Sequence, residues 1–287
     1  MIWSDFSKLI KLRLTFLVVF SASISFLIGS KVNGEIVWSN WLMLIAGGFL
    51  VTAAANCFNE IIEKDLDKLM KRTMDRPIPA GRMTTGQGLV MGLFMGIAGT
   101  ILLGKLNLTA GYLSVFSVIL YAFVYTPLKR KSPIAVFVGA IPGALPPLIG
   151  YVAAHPKIDE IALIVFGIQF VWQFPHFWAI AWVLDDDYKL AGFRLLPSGQ
   201  RNLTSAIFTF ASTLILLPVS YLPTYYHFGG YWVGWVSVGC SLIFLYLAFR
   251  LLKDLQIASA KKLMYGSFFY LPIVQLMFLF DFIGKVK

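Results

Sequence analysis

The chain has 287 residues, of which 58% are hydrophobic and only 13% charged, with a formal net charge of +10. A mean hydropathy of +0.76 excludes an ordinary soluble domain and points to a polytopic membrane protein. In a soluble protein such a positive charge would suggest nucleic acid; here the bases have to be sorted by loop, and no nucleic-acid partner is expected.

The first apolar run, from about Leu14 to Ile28, follows Lys8, Lys11 and Arg13. It lacks a small-residue cleavage site and opens a series of similar runs, so it reads as a first span rather than a signal. A span needs about 20 apolar residues. Nine segments approach that length: roughly 13–30, 39–59, 87–104, 107–126, 133–154, 160–182, 203–222, 230–250 and 266–284. Numbering the loops alternately puts 19 of the 24 Lys and Arg residues on the N-terminal side. Lys31, Lys105, Lys157, Lys285 and Lys287 are left on the other. This asymmetry predicts a cytoplasmic N-terminus and an external C-terminus. Cys57 and Cys240 fall inside spans and read as small apolar residues, without a disulfide.

The second span ends in a dense run of charge. Counted from Asn59, this stretch holds the acids Glu60, Glu63, Asp65, Asp67 and Asp75, and the bases Lys64, Lys68, Lys71, Arg72, Arg76 and Arg82. If the helix continues past Asn59, then Asn59, Glu63 and Asp67 stack on one face at four-residue spacing, while Asp65 points well away. Three oxygen groups in a row suit Mg²⁺, which commonly shares its coordination with a substrate phosphate, and the following bases suit that phosphate. The same spacing also suits an interfacial helix laced by salt bridges.

The fourth span closes on Tyr125, Thr126, Pro127, Leu128, Lys129, Arg130 and Lys131. Its three consecutive bases serve either topology or a diphosphate clamp. The fifth carries Gly139, Pro142, Gly143, Pro146 and Pro147 and is expected to be kinked, either around a central cavity or simply in close packing. The sixth holds Trp172, Gln173, Pro175, His176 and Trp178. His176 precedes Asp187 by eleven residues, so it sits up to ~16 Å from the second acidic loop, inside the bilayer, and shares a face with Gln173. A histidine there is a functional candidate, or one satisfied by a neighbouring helix. His155 and His227 lie near span ends and read as incidental. The second acidic loop runs Asp185, Asp186, Asp187, then Lys189 and Arg194, repeating the acid-then-base order of the first. The two loops follow spans four apart, which hints at a pseudo-repeat.

Five segments then carry a resemblance: NEIIEKDLDKLMKRTMDR from Asn59, YTPLKRKSP from Tyr125, GAIPGALPPLIG from Gly139, WQFPHF from Trp172 and DYKLAGFRLLP from Asp187. Their order resembles the UbiA-type intramembrane prenyltransferases, and within them the protohaem IX farnesyltransferase (haem O synthase) branch. The resemblance implies an all-α fold of nine transmembrane helices around a central cavity. It implies one prenyltransferase domain over 1–287, with catalytic loops at about 60–86 and 183–202. It implies that Asn59, Glu63, Asp67 and Asp187 are catalytic and that Asn59, Glu63, Asp65, Asp67, Asp186 and Asp187 hold Mg²⁺. Arg72, Arg76, Lys129, Arg130 and Lys189 would bind diphosphate, and His176, Gln173 and Trp172 the haem. Glu63 stands where the family usually has aspartate, and Val183 stands four residues before Asp187, where its second motif has a carboxylate.

The implied substrates are farnesyl diphosphate and haem B, with haem a substrate rather than a cofactor. The implied setting is the lipid bilayer, with the next haem-modifying enzyme or oxidase assembly as possible partners. A start without an Arg- and Ser-rich leader favours a bacterial plasma membrane over the mitochondrial inner membrane. Two other readings stay open: prenylation of an aromatic quinone precursor, and a transporter. The transporter would call for ionisable residues deep in several spans, whereas here deep charges are scarce and the carboxylates sit at one face.

Overall fold

The computed structural model describes residues 3–284. Lys285 and Lys287, which the loop count places on the external side, lie outside the described residues. A short α1 (Trp3–Leu9) precedes α2 (Leu12–Asn33), α3 (Trp38–Asp67) and α4 (Thr85–Leu106). The fourth span begins as α5 (Leu108–Val118), loosens into π-helical turns over Ile119–Tyr125, and ends as α6 (Thr126–Leu128). Then come α7 (Ala135–Ala154), α8 (Glu160–Val183), a short α9 (Asp185–Leu190), α10 (Leu203–Tyr225), α11 (Tyr231–Asp254) and α12 (Ile257–Phe280). Among the described residues, nine helices are long and apolar enough to cross a membrane, and they coincide with the nine expected segments.

Two boundaries differ from the apolar pattern for the same reason. The second span continues as helix to Asp67, and the ninth begins at Ile257 rather than near 266. Lys261 and Lys262 interrupt the apolar run, but backbone hydrogen bonding does not need apolar side chains. Helical turns therefore project beyond the apolar stretch, and on α3 those turns carry the acidic row. The next helix starts sharply, because Thr84 and Gln87 form a reciprocal capping box at the head of α4.

The prolines do not break α7, which is continuous and the most enclosed span of the bundle. Its small residues let neighbours approach. A Cβ on Gly150 would lie 1.9 Å from the Ala22 carbonyl oxygen of α2, so only glycine fits there. Pro147 has no N–H to offer the Gly143 carbonyl one turn earlier, and the Gln169 side chain of α8 donates to that carbonyl instead at 2.6 Å.

The helices enclose a cavity of about 530 Å³, walled by α2, α3, the π-helical turns, α7, α8 and α12. Along α3 its wall runs from Asp67 to Leu44, about 34 Å of helix. Leu14, Leu17 and Phe268 line it and are also exposed on the outside of the bundle, so it opens sideways between α2 and α12 as well as at the loops.

Candidate active site

The cavity mouth is built on α3. Asn59, Glu63 and Asp67 are all buried and all line the cavity, as their spacing predicts. Asn59 Nδ2 donates to Glu63 Oε2 at 2.9 Å and to Thr126 Oγ1 at 3.0 Å. The π-helical turns shape this contact: both the backbone N–H and the hydroxyl of Thr126 bond back to the Tyr121 carbonyl, five residues earlier.

Three cations face the row. Arg76 Nη1 bonds Asp67 Oδ2 at 2.6 Å, Lys129 Nζ pairs with Glu63, and Lys11 Nζ donates to Asn59 Oδ1 at 2.6 Å. Lys11 comes from the tight turn between α1 and α2, where its backbone is left-handed at φ 48°. Burial, with Arg76 and Lys129 close by, pulls its ammonium down to about 7. An anion bound among these three cations would offset that penalty.

The loops are stitched together over the mouth. Asp187 Oδ1 accepts from the Lys71 backbone N–H at 2.9 Å, and the Arg194 N–H bonds the Lys129 carbonyl at 2.9 Å. The two acidic loops therefore meet. Asp67 Oδ1 and Asp187 Oδ2 are buried and have no hydrogen-bond partner. Among the described residues no three His, Cys, Asp or Glu groups gather as a closed cage. An all-oxygen set of an amide and a few carboxylates, with orphaned oxygens beside fixed cations, fits Mg²⁺ completed by phosphate and water.

Other expected residues are placed differently. Asp65 is exposed and paired with Lys68, on the side of α3 away from the cavity. Asp186 is exposed and held by Arg201, and Asp185 is buried against Lys189 and Arg201. Arg72 lines the mouth over the Tyr188 ring, whereas Arg130 and Lys189 are exposed and outside the lining. Trp172, Gln173 and His176 do line the cavity. His176 stacks on Trp172 with ring centroids 4.2 Å apart, and its Nδ1 meets Ser267 Oγ at 2.7 Å.

Sequence reasoning missed Lys11, Tyr121, Tyr188 and Gln169, which also line the cavity. Lys11 looked like one more topology-setting base, and no local spacing ties it to Asn59, 48 residues away. Below the mouth the wall is aromatic, with Tyr121, Tyr125, Trp172, Phe177 and Phe268. An acid-and-base mouth over an apolar, aromatic chamber can hold a diphosphate ester by its head while its hydrocarbon tail stays dry.

Comparison with known proteins decides the family. Residues 18–273 match the model of the UbiA prenyltransferase family. The chain belongs to that family. A Cytophaga hutchinsonii protein named protoheme IX farnesyltransferase is 44% identical over 276 residues, covering 96% of each chain. Among solved UbiA-type folds, digeranylgeranylglyceryl phosphate synthase superposes with a TM-score of 0.81 at 21% identity, covering 97% of each chain. A UbiA homologue from Archaeoglobus fulgidus, bound to GPP and Mg²⁺, matches with a TM-score of 0.63 at 11% identity. It covers 96% of this chain and 99% of that one. The bundle is thus the UbiA fold, in an integral membrane enzyme.

Proposed function

We propose that this enzyme transfers the farnesyl group of farnesyl diphosphate to a vinyl group of haem B, giving haem O and diphosphate. What carries the reading is the row of Asn59, Glu63 and Asp67, set against Lys11, Arg76 and Lys129 at the head of an apolar cavity. The choice of haem as acceptor is supported by the relative named protoheme IX farnesyltransferase.

Lys11, Arg72, Arg76 and Lys129 bind the diphosphate, exchanging their present partners for phosphate oxygens. Asn59, Glu63 and Asp67 would hold Mg²⁺, with Asp187 of the second loop as a further carboxylate, and the metal would supply Lewis-acid stabilisation of the departing diphosphate. Burial in the bundle keeps water from the allylic cation, and the faces of Tyr121, Tyr125 and Trp172 favour its positive charge. The vinyl π electrons attack farnesyl C1, and water adds to the cation left on the haem side. Trp172 and His176 offer flat surfaces to the porphyrin, which enters through the side opening between α2 and α12. The charged loops face the cytoplasm of a bacterial cell whose plasma membrane holds the single-domain enzyme, and its product passes to the next haem-modifying step.

The test is to incubate the purified protein in lipid nanodiscs with haem B, farnesyl diphosphate and Mg²⁺, with an EDTA control, and to seek haem O by mass spectrometry. Metal-dependent haem O is the expected result. Its absence from a folded sample refutes the assignment and returns an aromatic quinone precursor as acceptor.

A further inference from the structure

We propose, resting on the farnesyl-transfer reading above, that a polar cluster of Ser21, Gln169 and Gln275 holds the single water that adds to the haem-side cation. The cluster joins α2, α8 and α12 in the membrane core. Its orientation is set from outside, because Pro147 leaves the Gly143 carbonyl without a helix donor. Gln169 Nε2 must face that carbonyl, at 2.6 Å, so Gln169 Oε1 must accept. It accepts from Ser21 Oγ at 2.6 Å and from Gln275 Nε2 at 2.9 Å, and Gln275 Nε2 also donates to Ser21 Oγ at 2.7 Å. The far end of the Gln275 amide is thereby forced outward. Its Oε1 is buried and has no partner, in a residue only 9% exposed. Such an atom calls for a donor.

Three placements identify that donor. First, Ser21, Gln169 and Gln275 line the large cavity, and Gln275 with Ser25 also lines a second cavity of about 10 Å³, the room one water needs. Second, the cluster lies well inward of the mouth. Gly143 is one helical turn beyond Gly139, which packs on Tyr125, and Ser21 is ten residues, about 15 Å of helix, beyond Lys11. That depth is below the phosphates, on the hydrocarbon and acceptor side of the cavity. Third, the charged residues of the cavity wall, Lys11, Glu63, Asp67, Arg72, Arg76 and Lys129, all belong to the mouth. No charge lines this depth to hold an ion, and the farnesyl chain has no polar group. The porphyrin carboxylates call for cations, which lie at the mouth. Water is the neutral donor that the reaction consumes.

The chemistry makes opposite demands on water. The C–O bond of the diphosphate ester breaks with its electron pair leaving on the diphosphate, and this first cation must stay dry. The vinyl π pair then bonds to C1, leaving the second cation on the vinyl carbon next to the ring. A lone pair of the held water forms the new C–O bond, and its proton goes to the released diphosphate, the strong base left in the cavity. One fixed water, away from the solvated mouth, serves the second step without quenching the first. If that water is lost, the second cation instead sheds a proton and yields a product lighter by one water.

The test uses full-length protein in nanodiscs with haem B, farnesyl diphosphate and Mg²⁺, comparing wild type, Gln275→Met and Ser21→Ala. Mass spectrometry reads the ratio of hydroxylated to water-free farnesyl haem. The inference expects that ratio to fall at least about fivefold in Gln275→Met, and to fall in Ser21→Ala as well. An unchanged ratio in a folded variant overturns it, even if total turnover drops, because the cluster then only joins helices. Should Gln275→Met not assemble, Ser21→Ala, which removes one hydroxyl, decides; loss of the fold in both also overturns it. No farnesyl haem from wild type refutes the proposed function instead.

Discussion

Two carboxylates separated by one residue on α3 should behave in opposite ways. Asp67 is fully buried, lines the cavity and bonds Arg76 at 2.6 Å, whereas Asp65 is exposed and faces away. Asp67→Asn keeps the shape but removes the charge that balances Arg76, whose side chain is only 13% exposed. Removing one partner of a buried pair costs about 3–5 kcal/mol, and the open mouth puts this case near the lower end. For catalysis the relevant loss is one positioned group at the site where charge develops, worth about 10²–10³ in rate, or about 2.7–4 kcal/mol. Turnover of Asp67→Asn should therefore fall at least ~100-fold, with weaker binding of farnesyl diphosphate by calorimetry. Asp65→Asn should stay within about twofold of wild type, since exposed ion pairs contribute little. Haem O formation by mass spectrometry, with thermal melts to confirm folding, provides the assay. If Asp67→Asn keeps turnover within about threefold, or Asp65→Asn falls as far as Asp67→Asn, the assignment of roles on this helix is refuted.

Other substitutions probe separate parts of the site. Lys11→Met should raise the KM for farnesyl diphosphate by about tenfold or more, the worth of one hydrogen bond to a charged group; an unchanged KM removes Lys11 from the diphosphate site. His176→Ala should weaken the use of haem while calorimetric binding of farnesyl diphosphate survives, and loss of binding as severe as in Asp67→Ala would contradict that division. Gly150→Ala pushes a methyl group to 1.9 Å from the Ala22 carbonyl and should cost about 1–3 kcal/mol in thermal unfolding. Gly167→Ala, with nothing within 4 Å of the new carbon, is the control, and equal melting temperatures would show that α2 and α7 yield easily.

Local pattern was enough for what depends on neighbours in the chain. Runs of apolar residues marked all nine spans, because the bilayer requires each to satisfy its own backbone. The four-residue spacing of Asn59, Glu63 and Asp67 placed them on one face, and the same periodicity turned Asp65 outward. WQFPHF likewise put Gln173 and His176 together, and both line the cavity.

Packing between distant segments decided the rest. Lys11 reaches Asn59 across 48 residues because α1 and α2 meet in a left-handed turn beside α3. Asp187 was legible as an acid, but only loop packing set it against Lys71 and turned Asp186 out to Arg201. Gln169 would pass for an ordinary polar residue in a span. Its role emerges where Pro147, on another helix, leaves a carbonyl in need of a donor. Periodicity is a property of one helix, whereas partnership across 15 to 254 residues depends on which faces the bundle brings together.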